Sequence, residues 1–206
     1  MFWKKKKLEY DILIPPLEKA FEKFSLEEAE AYFVWYLDKI DSRVKYLEKF
    51  SSVSLDYSVD SLNNLWGWFL KNAEIEKTPE IQLKELRKQL KGQPKEIIND
   101  IIDEQSVQFS LQTEYIIRDI AMYFGEVCIK NNSAISWGYH TNIKEDSFAN
   151  MPVLMGFEDR DFNPPFNAYF ELNFIIRGLA SNIFDGDQKR SDLVDMYKKW
   201  QRMVYN

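Results

Sequence analysis

One stretch constrains this chain more than any other. After Ser25, the residues Leu26, Ala29, Phe33, Leu37, Ile40, Val44 and Leu47 recur at intervals of three and four, and Glu28 stands three positions past the serine. A hydroxyl followed at that spacing by a carboxylate is the capping box that starts a helix, and the recurrence lays an apolar stripe along one side of it. The pattern predicts a helix running to about Phe50. Tyr32, Trp35 and Tyr36 widen the stripe, which implies contact on more than one side.

The same period recurs along the chain. Pro15 and Pro16 open a short predicted helix from Leu17 to Phe24. Asp60 or Ser61 can cap a helix whose Leu62, Leu65, Trp66 and Phe69 share a face, with Trp68 off it. Thr78 and Pro79 begin another with a thin face of Ile81, Leu86 and Leu90, stopped by Gly92. Pro94 starts a fourth with Ile97, Ile98, Ile101 and Ile102 inward. Residues 71–95 are the most polar part of the chain and read as a peripheral excursion within a single domain spanning 1–206.

Ser110 then opens a strong helix with Ile116, Ile120, Phe124 and Val127 as its stripe, ending near Asn131 and Asn132, while Gly125 allows a neighbour to approach closely. Past it the period changes to two. Ile135, Trp137 and Tyr139 alternate with Ser136, Gly138 and His140, and Val153, Met155 and Phe157 alternate likewise, as half-buried strands do. This register puts Trp137 inside and His140 on the wet face. From about Asn167 to Leu179 the chain is apolar almost all round, which predicts a central helix interrupted by Arg177; a buried guanidinium there requires a carboxylate, with Glu126 and Glu171 as candidates. Asp185, Gly186 and Asp187 make a turn, and Leu193, Tyr197, Trp200 and Val204 mark a last amphipathic helix.

The fold class expected is therefore α+β and mostly α-helical, with helices packed around a central apolar helix and a small antiparallel β-sheet in the C-terminal half. A chain of 206 residues, 45% hydrophobic, can bury a core without a disulfide or metal. The one cysteine, Cys128, lies in an apolar helical stretch and reads as a small buried hydrophobe of a reducing compartment. The lysines at 4–7 are not followed by an apolar run of signal-peptide length, and no stretch of 18 apolar residues exists, so the expected location is the cytoplasm with no transmembrane segment. A net charge of −6 argues against nucleic acid as a partner.

Motifs for phosphate loops, dinucleotide binding, nucleophile elbows and zinc proteases are missing, and with one His and one Cys a Cys/His zinc site cannot form within one chain. No metal and no cofactor is expected. The candidate catalytic residues are Asp119, Tyr123 and Glu126, which share one side of the Ser110 helix with the carboxylates about 10 Å apart along its axis, joined by His140 as acid or base. An ordinary solvated face accounts for the same residues. The acids Glu145, Asp146, Glu158, Asp159 and Asp161 flank one strand and form the candidate docking surface for a basic protein partner, with Phe148, Phe162 and Phe166 in the same loops. The function expected from this is a non-catalytic binding protein, of the kind that neutralises a toxin. The alternatives are a hydrolase-like enzyme using the paired carboxylates and the histidine, and a structural subunit of a larger assembly.

Overall fold

The computed structural model describes residues 9–141, 147–161 and 164–205. Its first long helix, α1 (Leu26–Ser51), starts where the capping box predicts: Ser25 Oγ accepts from Glu28 N at 3.2 Å, and Glu28 Oε2 accepts from Ser25 N at 2.7 Å. The buried face differs from the predicted stripe. Leu26 is 69% exposed and Leu37 lies on the solvent side, whereas Tyr32 and Tyr36 point inward as the widened stripe implies, and Arg43, outside the pattern, is buried with Ala29, Ile40, Val44 and Leu47. The reason is tertiary. Arg43 is drawn in by its pair with Asp119 of α5, which an apolar pattern alone does not register, while a leucine at the helix start lies past the packed surface.

Helix α2 (Val59–Asn72) is capped by Ser58, two or three residues ahead of the expected caps, and buries Leu62, Leu65, Trp66 and Phe69 as predicted. Strands β1 (Ile75–Lys77) and β2 (Val107–Phe109) pair antiparallel and close off an excursion carrying α3 (Glu80–Gln89) and α4 (Lys95–Glu104). Only Leu83 and Ile102 of those two helices are buried.

The element that organises the rest is α5 (Leu111–Asn131), capped by Ser110 and carrying twelve buried residues. It packs against α1, α2 and α6 (Leu172–Asp185). Thus the central helix is α5, and the expectation that the run after Asn167 supplies it is corrected. In α6 only Leu172, Ile176 and Ala180 are buried, and Phe174 is 64% exposed. Its first four predicted residues, Asn167 to Phe170, belong instead to a strand, β5 (Phe166–Phe170), because pairing with β4 (Val153–Asp159) satisfies their backbone and lets Phe170 stack on Trp200 at 4.1 Å.

The expected antiparallel sheet has the order β3-β4-β5, with β3 (Ser136–Gly138) placing Trp137 opposite Leu154. Strand β4 is bulged between Leu154 and Phe157, where Gly156 adopts φ +106° with the Ala134 carbonyl pressed against the position a side chain would need. Helix α7 (Asp192–Gln201) buries Leu193, Tyr197 and Trp200. The chain then returns to β4, with Glu158 N donating to Met203 O and Tyr205 N to Gly156 O.

The predicted helix from Leu17 to Phe24 is reduced to a 3-10 turn, Phe21–Lys23. Side chains of the folded body take over the backbone bonding of this N-terminal segment. Asp11 N donates to Tyr46 Oη, Arg43 Nη2 donates to Asp11 O, Arg118 Nη2 donates to Leu13 O, and Asn150 Nδ2 donates to Phe21 O, all at 2.9–3.0 Å.

Candidate functional site

The stripe Asp119, Tyr123 and Glu126 does lie along α5, but its three polar groups enter three separate networks. Asp119 is 0% exposed; it accepts from Arg43 Nη2 at 2.7 Å and Nε at 2.9 Å, and from the Tyr10 hydroxyl at 2.5 Å. Burial pushes its carboxyl above the ordinary value, and the two bonds and charge of Arg43 pull it back only in part. The same burial and the neighbouring carboxylate push the Tyr10 hydroxyl far up, so it remains a proton donor. Tyr123 Oη accepts from Tyr57 N at 2.9 Å and shares a 2.5 Å bond with Ser61 Oγ. Glu126 Oε1 accepts from Trp137 Nε1 at 2.9 Å.

His140 stands past the end of β3, its ring 4.7 Å from that of Tyr169. Because β3 stops at Gly138, the alternation does not extend to His140, and both it and Trp137 are half-buried rather than divided between inside and out. Asp119, Glu126 and His140 line neither of the two cavities of about 650 and 280 Å³ described below. Cys128 is buried, which pushes its thiol up to about 12 and leaves it protonated.

Of the five acids expected to form a docking surface, Glu145 and Asp146 lie outside the described residues, as does Phe162. Glu158 is paired with Arg160 at 2.7 Å, and Asp159 Oδ1 accepts from Asp161 N at 3.0 Å. Arg177 does find a carboxylate, but neither of those expected. Its Nε donates to both oxygens of Glu114 at 3.0 and 3.1 Å, on a surface where the arginine side chain is 47% exposed.

Sequence reasoning missed the site that the fold builds most deliberately. A cleft of about 280 Å³ lies where Tyr32 and Tyr36 of α1, Arg118 of α5, Phe148, Met151 and Pro152 meet the start of α6. Glu171 is placed there because β5 ends at Phe170, which makes the glutamate the N-cap of α6. Its carboxylate accepts from Phe174 N at 2.5 Å and Asn173 N at 3.2 Å. Burial raises its carboxyl above the ordinary value, against the pull of those two bonds. The Tyr36 hydroxyl is raised well above its usual range by burial and by Glu171.

Arg118 faces the same two tyrosines as Glu171. Its guanidinium donates to the Leu13 carbonyl and lies 4.4 Å over the Tyr115 ring, while its buried Nε has no hydrogen-bond partner. Among the described residues no carboxylate is in ion-pair distance of it. A larger cavity of about 650 Å³ lies between α6 and the α3 excursion, but its charged lining residues Glu104, Arg177 and Asp185 are all exposed. Among the described residues no cluster of His, Cys, Asp and Glu could hold a metal ion, and no helix is long and apolar enough to cross a membrane. The chain matches no family model, no curated protein and no solved structure.

Proposed function

We propose that this protein works by binding, and that its recognition site is the aromatic cleft between α1, α5 and the start of α6. The observation that carries the reading is Arg118, a half-buried guanidinium whose Nε lacks a partner and which forms no ion pair among the described residues, the Asp119 carboxylate that feels its charge being bonded to Arg43 and Tyr10 instead. A charge held in an aromatic setting without a directly bonded counter-ion is costly to the fold, and a ligand that supplies one recovers that cost. A concave apolar site with a few convergent polar groups and shifted ionisations is the usual form of a small-ligand pocket.

One further observation favours binding over catalysis. The carboxylates and tyrosine that the enzyme reading needs are engaged by Arg43, Ser61 and Trp137 rather than turned toward a shared cavity. The acidic residues around β4 give less support to a basic protein partner, because Arg160 already offsets Glu158.

The reading is tested by titrating the isotope-labelled full chain with neutral, anionic, cationic and zwitterionic aromatic fragments and following amide shifts by NMR. The expected result is a shift cluster at residues 32, 36, 118, 151 and 171–174 for at least one fragment. A panel that leaves those amides unmoved overturns the cleft as the site.

A further inference from the structure

The cleft is lined by two guanidiniums and one carboxylate. Arg177 is already paired with both oxygens of Glu114, which leaves Arg118 and Glu171 as the charged groups with bonding capacity left over. Arg118 offers its partnerless Nε and the remaining N–H groups of a five-donor fork. Glu171 accepts one backbone N–H on each oxygen, and a carboxylate has about four acceptor positions, so two remain. Between them the wall is apolar and aromatic, from Tyr32, Tyr36, Phe148 and Phe174.

A purely anionic ligand satisfies Arg118 but is repelled by Glu171, and a purely cationic ligand meets the reverse conflict. Only a molecule carrying both charges close together meets both. The cavity, about 280 Å³, falls just below the range of about 300–1,000 Å³ typical of drug-sized ligands, so the occupant is about the size of one amino acid.

Resting on the cleft as the binding site, we propose that its ligand is a free α-amino acid with an apolar or aromatic side chain. Its carboxylate pairs with Arg118, its ammonium with Glu171, and its side chain packs against the rings of α1 and Phe174. The ammonium also gains from those ring faces, which attract cations. The carboxylate–guanidinium pair is charge-assisted and partly desolvated, where such bonds are strongest.

The test is calorimetric titration of the full chain with L-phenylalanine, with 3-phenylpropanoate, which lacks the ammonium, and with 2-phenylethylamine, which lacks the carboxylate. L-Phenylalanine is expected to bind at least about tenfold more tightly than either analogue, the loss that follows from leaving one buried charge unmatched. The variants cross over. Glu171→Gln, which keeps an oxygen for the α6 cap, should weaken L-phenylalanine and spare 3-phenylpropanoate, whereas Arg118→Gln should weaken both.

If 3-phenylpropanoate binds as well as L-phenylalanine, the amino-acid assignment is overturned while the cleft remains the site. If a peptide with an N-terminal phenylalanine binds more tightly than the free amino acid, the free ligand is replaced by a chain end and the assignment fails as well. Binding of no probe, with the cleft amides unmoved in the fragment titration, overturns the assignment together with the site.

Discussion

The Trp137 indole occupies the space that a side chain at Gly125 would need: a Cβ built on Gly125 lies 2.6 Å from Trp137 Cη2 and 3.0 Å from Leu172 Cδ1. This one glycine lets β3 and the start of α6 both close onto α5. The ring is held there by its bond to Glu126, the residue that follows Gly125, so it cannot swing away freely.

Gly125→Ala should therefore destabilise the fold by about 1–3 kcal/mol through overpacking, although alanine in a helix interior ordinarily gains roughly 0.5–1 kcal/mol over glycine. Urea unfolding measures the difference. A second change, Trp137→Leu, should make the cost of Gly125→Ala much smaller. A stabilised Gly125→Ala protein would contradict the packing described.

Arg43 and Asp119 join α1, α5 and the N-terminal segment through one buried pair, with Tyr10 closing it. Removing only the acid, as in Asp119→Ala, should cost about 3–5 kcal/mol, because it leaves the buried guanidinium with only the exposed Asp11 carboxylate, 3.3 Å away, as a counter-ion. Arg43→Met combined with Asp119→Leu should recover most of that loss, since two apolar groups leave no buried charge. A double variant as unstable as the sum of the single ones would show that the pair does more than neutralise itself.

Glu171 sets a pH dependence whose sign follows from its environment. Burial raises its carboxyl above the unfolded-state value, so the folded protein holds this proton more tightly than the unfolded chain does. Its favourable contribution is complete below the ordinary carboxylate value and is lost as pH rises through the raised one. The stability of the wild type relative to Glu171→Gln should thus increase as pH falls from 7 toward the acid side. Chemical denaturation of both proteins across that window checks it, and a difference that shrinks on acidification would contradict the burial of this carboxylate.

The fold was legible wherever a local signal and the core agreed. Ser25 with Glu28 announced α1, Ser110 announced α5, and the period-two run around Trp137 announced β3. What escaped was non-local. The residues of β5 read as helix because Tyr169, Phe170 and Leu172 continue the apolar run of α6, and only pairing with β4 distinguishes them. The three-residue strands β1 and β2, 32 positions apart at Glu76 and Gln108, carry no periodic signal of their own.

The same error hid the cleft. In a helix beginning at Asn167, Glu171 would be an interior residue; with β5 ending at Phe170 it becomes the cap of α6 and turns into the cleft. Tyr32 and Tyr36 did leave a trace, as aromatics widening the α1 stripe toward a second contact. Arg118 left none. It is the neighbour of Asp119, and the difference between a buried structural acid and a recognition cation one residue apart comes from which elements pack on either side.

Arg118 is the group that a ligand of the cleft must satisfy. The direct measurement is the affinity of L-phenylalanine, by calorimetry, for the wild type, for Arg118→Gln and for Arg118→Lys, with the unfolding midpoint of each recorded. Arg118→Gln should bind at least about tenfold more weakly while remaining folded, and Arg118→Lys, which restores the charge without the fork, should recover part of the loss. Equal affinity in all three proteins would contradict the cleft as the binding site.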